Sequence, residues 1–328
     1  MSNDANDQIL LLDWYRHNKR DLPWRHSPEA YGVWISEVML QQTTVQAVIP
    51  YYERFMARFP TLESLAKSPV ESVLEHWAGL GYYSRARNLH KAARELARDG
   101  GFPKTHLELS KYPGFGPYTA RAVSSIAFGE HAGIVDGNVV RVLSRRHGLK
   151  LEWWTPKGRA VLQEHADRLV ARGDSSSTNQ ALMDLGATVC VPRAPRCLLC
   201  PWASVCAARK LGRQEEFPLA RPRKEREIWI WRPRVLLSRG RVGLVANEYA
   251  PFLKGHLICP GRAERKNKAP KKFDFRHSVT CHDIFVILER ENKKIPEKSI
   301  TWVPLQKLKQ AAPSSLLQKA LKRVKELQ

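Results

Sequence analysis

Residues 112–145 read YPGFGPYTARAVSSIAFGEHAGIVDGNVVRVLSR, and the punctuation of this stretch decides the fold. Pro113, Gly114 and Gly116 mark a tight turn, and Pro117 suits the first turn of a helix. Glycines let the turn's backbone approach a partner closely, and N–H groups at a helix start can hold a phosphate. The spacing predicts a helix-hairpin-helix: a helix over 105–111, the glycine turn, and a helix of small residues over 117–128. Asp136 follows, just before an apolar-periodic helix over 138–147. Its ordinary role is an N-cap, yet the same position aims a carboxylate outward, where it can stabilise a cationic transition state.

Working outward, helical periodicity covers 9–17 and 31–59, with breaks expected near Thr43–Thr44 and at Pro50. It resumes over 61–67, 70–78, 83–99, 156–172 and 179–190, while Val/Ile/Thr alternation is scarce. Residues 1–210 are therefore expected to form an all-α domain. Residues 211–227 lose periodicity and gain proline and charge, which predicts a linker. Strand-like runs then appear at 228–231, 235–238, 242–246, 278–281 and 284–288, with a basic loop at 262–272 and a final helix over 314–327. That pattern predicts a small α+β domain over 228–328.

The 328 residues carry 54 Lys and Arg against 32 Asp and Glu, a formal +22. Residues 228–328 hold +14 of this and the rest +8. Such an imbalance favours a polyanionic partner, nucleic acid first. No apolar run approaches the roughly 18 residues that span a bilayer. The polar start MSNDANDQ is unlike a secretory signal, and no lipidation motif is present, so a membrane partner is not expected.

Four of the six cysteines, Cys190, Cys197, Cys200 and Cys206, follow a C-x6-C-x2-C-x5-C pattern. Four thiolates on one segment can enclose a metal centre, and the spacing leaves zinc and [4Fe–4S] both open. Glu37 has Val33, Trp34, Leu40 and Gln41 as its helical neighbours. A carboxyl desolvated there would have a raised pKa and could act as a general acid.

Taken together, LPWR (22–25), VWISEVMLQQTTV (33–45), GLGYYSRARNLHKAA (79–93), YPGFGPYTARAV (112–123), VDGNVVRVLSR (135–145), NQALMDLGATVC (179–190) and the four cysteines resemble the helix-hairpin-helix DNA glycosylases, specifically the adenine-specific mismatch (MutY) family. The resemblance spans residues 20–206. It implies a two-lobed catalytic domain, with a cluster lobe of about 1–25 plus 137–210 around a helical insert of about 26–136. It further implies base flipping from duplex DNA, Glu37 as the acid that protonates adenine, and Asp136 as the carboxylate facing the oxocarbenium-like sugar. Asn138 matches a residue that orients Asp136. Tyr118 stands where bifunctional relatives carry a nucleophilic lysine, which implies a monofunctional enzyme. Trp24, Arg25, Leu40 and Gln180 match the adenine pocket, and Gln42 and Tyr82 match side chains that enter the base stack. Gly114 and Gly116 match the backbone-binding hairpin, and Arg193 and Arg196 suit phosphate contacts. The cysteine spacing matches the family's [4Fe–4S] loop.

Residues 228–328 resemble the family's Nudix-related C-terminal domain weakly. They diverge at the lesion-reading loop, where Val279-Thr280-Cys281 replaces the usual residues and Thr280 alone offers an equivalent hydroxyl. No acid-rich Nudix helix is present. The expected function is therefore removal of adenine mispaired with 8-oxoguanine or guanine in base excision repair. The resemblance implies a monomer acting on double-stranded DNA in the bacterial cytoplasm, associated with the nucleoid. The rivals are a bifunctional endonuclease III-type glycosylase/lyase and a non-catalytic DNA-binding relative. Tyr118 and the MLQQT segment argue against the first, and joint retention of Glu37, Asp136, Tyr118 and Gln180 against the second.

Overall fold

The computed structural model describes residues 3–26, 28–222, 225–289, 300–312 and 314–325. The chain divides into two compact units, Met1–Arg221 and Pro222–Gln328. Among the described residues no helix is long and apolar enough to cross a membrane.

The first unit is helical throughout. Its N-terminal half contains α1 (Asn3–Asn18), α2 (Pro23–His26), α3 (Ala30–Leu40), α4 (Val45–Arg58), α5 (Leu62–Lys67), α6 (Val70–His76) and α7 (Tyr83–Arg98). The hairpin helices α8 (His106–Leu109) and α9 (Pro117–Phe128) follow. Then come α10 (Gly137–His147), α11 (Pro156–Val170), α12 (Ser175–Thr188) and α13 (Ala207–Lys210). Local chemistry sets several starts. Thr61 and Ser64 form a reciprocal capping box at α5. Thr155 caps α11 with Pro156 behind it. Asp174 caps α12, which therefore opens four residues before the expected start at 179.

The break expected at Pro50 does not occur, because Pro50 lies inside α4. Proline there removes the amide that would bond the Gln46 carbonyl, but both residues face solvent, where water can serve that carbonyl. Burial of Val48, Tyr52 and Phe55 on the opposite face holds the helix together. The interruption falls at residues 41–44, where Gln42 takes a left-handed φ of 62°.

Two apolar cores organise this unit. One gathers α2 to α9 around Trp34, Phe55, Phe59, Trp77, Leu89 and Phe115. The other joins α1 to α10–α12 through Leu11, Val139, Leu143, Leu162, Leu182, Leu185 and Trp202. Residues 211–219, expected as part of a linker, are packed onto this unit instead. Phe217 is buried, its carbonyl accepts from Arg145 Nε at 3.1 Å, and Leu219 O accepts from Trp153 Nε1 at 3.0 Å. One aromatic anchor overrides the proline and charge around it.

The second unit contains β1 (Glu227–Pro233), β2 (Leu236–Ser238), β3 (Arg241–Ala246), β4 (Leu257–Ile258), β5 (Gly261–Lys266), β6 (Phe275–Val279), β7 (His282–Val286), β8 (Thr301–Pro304), α14 (Leu308–Ala311) and α15 (Ser315–Lys325). One sheet has the order β5-β1-β7-β6, with β1 and β7 parallel. In the other, β3 pairs with β2, β4 and β8. Leu316, Leu317, Ala320 and Leu321 of α15 close the core with Trp231, Leu244, Ile284 and Val286. The basic stretch expected as a loop over 262–272 begins as edge strand β5, a position where charged side chains discourage further strand pairing. The strands expected at 278–281 and 284–288 are instead β6 and β7, so Thr280 and Cys281 form the tip of a hairpin. The last residues of the expected final helix lie outside the described residues.

Candidate active site

A cleft of about 830 Å³ in the first unit is lined by Trp24, Arg25, Glu37, Leu40, Gln42, Gly114, Gly116, Tyr118, Asp136, Asn138 and Gln180. Eleven positions singled out in sequence, spread over more than 150 residues, thus meet at one concavity. Tyr82 and Thr280 do not line it.

Glu37 projects from α3 and is 5% exposed. Burial pushes its carboxyl up to about 7, with the Asp136 charge acting in the same direction. The Tyr118 hydroxyl and Arg25 oppose this. Tyr118 sits one residue into α9 and donates its hydroxyl to Glu37 Oε2 at 2.7 Å. Asp136 is the N-cap of α10 and also faces the cleft. Its Oδ1 accepts from the Val139 amide at 2.7 Å, and Oδ2 accepts from Asn138 Nδ2 at 3.0 Å. Burial raises the Asp136 carboxyl, while these donors and Arg141 hold it back. Glu37 has one phenolic donor, whereas Asp136 has a backbone amide, a side-chain amide and a helix N-terminus. The arrangement favours the proton on Glu37 and the negative charge on Asp136.

Asn138 is held in turn. Arg141 Nη2 donates to Asn138 Oδ1 at 2.8 Å and to Gly186 O at 2.7 Å, and Arg141 Nε donates to Cys190 O at 2.7 Å. Fixing the amide oxygen on a cation turns the amide nitrogen toward Asp136. Gly186 makes this approach possible, since a Cβ there would lie 2.6 Å from that of Asn138.

Among the pocket residues, Trp24 is buried edge-on against Tyr52. Gln180 accepts from the Tyr15 hydroxyl at 3.4 Å and donates to Ser176 Oγ at 3.3 Å. Arg25 forks onto Asp184 at 2.8 and 2.9 Å. Sequence reasoning missed the cleft residues Arg20, Gln41, Trp153, Arg159 and Met183. Arg20 stands two residues before the LPWR segment, its one local signal.

Gln42 and Tyr82 both adopt left-handed backbone, with φ of 62° and 47°. Such strain at residues with side chains persists where surroundings enforce it. Here Arg85 does so. Its guanidinium donates to Val38 O at 2.7 Å, Gln41 O at 2.6 Å and Leu80 O at 3.2 Å, tying the end of α3 to the turn that presents Tyr82. Tyr82 is 56% exposed. In the hairpin, Phe115 stacks on Trp34 of α3 with ring centres 5.3 Å apart, which leaves Gly116 open at the start of α9.

The four cysteines are free thiols that together line one small cavity with Val189, Pro195, Ala203 and Arg145. Buried Arg145 spans the loop, donating to Cys190 Sγ at 3.5 Å, Val191 O at 2.7 Å and Pro192 O at 2.9 Å. Arg193 and Arg196 are exposed.

In the second unit, Thr280 is at the β6–β7 tip with φ 54°, and its hydroxyl bonds Val279 O at 2.7 Å. His277 and Ser278, just before it, belong to strand β6. The Ser278 hydroxyl is committed to Asp283 Oδ1 at 3.0 Å. Complete pairing along the hairpin leaves a two-residue turn and no room for a longer loop.

Residues 35–167 match the family described as HhH-GPD superfamily base excision DNA repair protein. An adenine DNA glycosylase of Homo sapiens is 47% identical over 221 residues, covering 63% of this chain and 40% of that protein. An adenine DNA glycosylase of Buchnera aphidicola subsp. Baizongia pistaciae is 41% identical over 199 residues, covering 60% of this chain and 56% of its own length. The chain thus spans roughly half the length of these curated relatives or less. The solved structure of a thermostable thymine-DNA glycosylase superposes with a TM-score of 0.58 and 31% identity, covering 63% of this chain and 97% of that one. With a helix-hairpin-helix beside a paired-carboxylate cleft and these relatives, the chain belongs to the HhH-GPD superfamily of base excision DNA repair proteins.

Proposed function

We propose that this protein hydrolyses the N-glycosidic bond of adenine mispaired with 8-oxoguanine or guanine in double-stranded DNA, without lyase activity. The observation that carries this proposal is the cleft itself. It holds a buried carboxyl at about 7, a phenol bonded to it, and an N-capping carboxylate turned to the same space. The named activity of the curated relatives supports adenine as the base.

The target nucleotide leaves the stack and enters the cleft, at a cost of a few kcal/mol that contacts elsewhere on the duplex must offset. Gln42 and Tyr82, held out by Arg85, suit the space it vacates. Glu37 gives its proton to a ring nitrogen of adenine. The C–N bond then breaks with its electron pair leaving on the base. Asp136 faces the resulting oxocarbenium-like sugar, as one of two carboxylates does in glycoside cleavage. Water adds hydroxide to the sugar carbon, and its proton returns to Glu37. Tyr118 has no amine with which to form a Schiff base, so the abasic product stays unbroken.

The cysteine loop fits a [4Fe–4S] cluster: the donor set is all-thiol, and all four cysteines line one small cavity. Cys190, Cys197, Cys200 and Cys206 would hold the cluster, which supplies cross-links to the loop and no chemistry at the cleft. Purified protein should be yellow-brown with iron and sulfide in equal amounts, and a colourless, active zinc protein would refute this. The second unit, Nudix-related on this proposal, adds phosphate affinity through its cations, with Thr280 as the one lesion-facing hydroxyl.

The test is adenine release from an A:8-oxoguanine duplex, followed with and without alkali. Strand breaks should appear only after alkali, and Tyr118→Lys should gain direct nicking. Borohydride trapping of the unmodified protein on DNA as a main product would overturn the proposal.

A further inference from the structure

Asp184 is 0% exposed, on α12, and does not line the cleft. Its Oδ1 accepts from Arg20 Nε at 2.8 Å and Arg25 Nη2 at 2.9 Å, and also pairs with Arg20 Nη2 at 2.6 Å. Its Oδ2 accepts from Arg25 Nη1 at 2.8 Å and the Arg20 amide at 3.1 Å. Both carboxylate oxygens are therefore filled from within the chain, and Asp184 has no capacity left for a substrate. Whatever it does for the cleft, it does through the two arginines, and both of those line the cleft beside Glu37.

We infer that Asp184 sets the charge balance of the adenine pocket by pairing Arg20 and Arg25 at its wall, which makes Asp184 a positioning residue of the reaction. This rests on the function proposed above. The physical reason is the competition for those cations. Glu37 is faced by Tyr118 from α9, Asp136 from the start of α10 and Arg25 from α2. Asp184 is faced by Arg20, Arg25 and, from α1, Tyr15, whose ring lies 5.8 Å from the Arg25 guanidinium carbon. Remove the Asp184 charge, and two unpaired guanidiniums remain at a desolvated wall of the cleft. Arg25 already faces Glu37 and favours its ionised form, and without Asp184 that pull is no longer shared. An opposite charge within a few ångströms stabilises a carboxylate and lowers its pKa by about 1 to 3 units. Glu37 would then be ionised at neutral pH and have no proton for adenine. Losing the negative field of Asp184 itself acts in the same direction. Removing one arginine has the opposite sign, because it leaves less positive charge to favour the Glu37 carboxylate.

The experiment is the pH dependence of single-turnover adenine release on an A:8-oxoguanine duplex, for the parent, Asp184→Asn, Asp184→Glu and Arg20→Gln, each at saturating protein. The parent should lose activity as pH rises through about 7. Asp184→Asn should move that alkaline limb down by about 1 unit, so that its deficit against the parent grows about fivefold, from about twofold at pH 6 to about ninefold at pH 8. Arg20→Gln should move the limb up, and Asp184→Glu should restore it to near the parent position. A merely structural role for Asp184 would lower the rate equally at every pH and would not move the limb in opposite directions. If Asp184→Asn folds and its limb coincides with the parent's, the inference fails. If that variant does not fold, Arg20→Gln decides: a limb displaced upward supports the charge balance, and an unmoved one overturns it. A parent that releases no adenine at any pH would instead overturn the function on which the inference rests.

Discussion

At the scale of the residue, the burial of Glu37 carries a stability cost. Its carboxyl sits at about 7 in the folded chain against an ordinary 4.5. The folded state therefore binds the proton more tightly than the unfolded one. Stability linked to that proton is complete below pH 4.5 and is lost as pH rises through 7. Glu37→Gln removes the loss, so the variant should gain on the parent under alkaline conditions by up to about 3 kcal/mol. Melting temperatures at pH 5 and pH 9 check this: the two proteins should differ little at pH 5 and the variant should melt higher at pH 9. The apolar neighbours of Glu37 at three and four residues are compatible with burial, but periodicity alone favours an exposed glutamate, and its burial was legible only through the matched segments around it. Asp136 was legible as a cap and as a cleft carboxylate, and it is both. Asp184 was not legible in its role. Its partners lie 159 and 164 residues away, and a lone acid on an apolar helix face gives no local sign of the arginines it holds.

At the scale of the element, close approaches position the site. Gly186 on α12 lets the start of α10 sit against it, and Arg141 bonds across that contact to Asn138 and to the Cys190 carbonyl. Gly186→Ala should therefore act twice. It should destabilise by about 1–3 kcal/mol through overpacking. It should also lower the rate of adenine release beyond what the lost folded fraction explains, because Asn138 is pushed off Asp136. Chemical denaturation and single-turnover rates on the same preparation separate the two effects, and a folded variant with parental rate would show that the approach is not required. Periodicity located most helices because their buried faces are continuous. It misjudged Pro50, where a broken backbone bond faces water and the packed face prevails. The strained turns at Gln42 and Tyr82 carry no periodic signal, and Arg85, which enforces both, reads in sequence as one more cation on a basic helix.

At the scale of the whole molecule, charge separates the two units more sharply than fold signals do. Residues 228–328 carry +14 of the +22. Deleting Pro222–Gln328 should flatten the salt dependence of duplex binding, since fewer phosphates are neutralised. It should also reduce the rate ratio between A:8-oxoguanine and A:G duplexes, as should Thr280→Ala more mildly, by about 1 kcal/mol. If truncation leaves slope and ratio unchanged, the second unit is neither clamp nor reader. The helical unit was legible because its motifs are long and ordered. The sheet unit was less so: β4 has two residues, β5 reads GRAERK without apolar alternation, and each exists through pairing with distant strands. The most direct test of the central claim is single-turnover adenine release by Glu37→Gln on an A:8-oxoguanine duplex, with duplex affinity measured alongside. The amide keeps the size and loses the transferable proton, so base release should vanish while binding stays within a fewfold of the parent; a rate within tenfold of the parent would contradict the account.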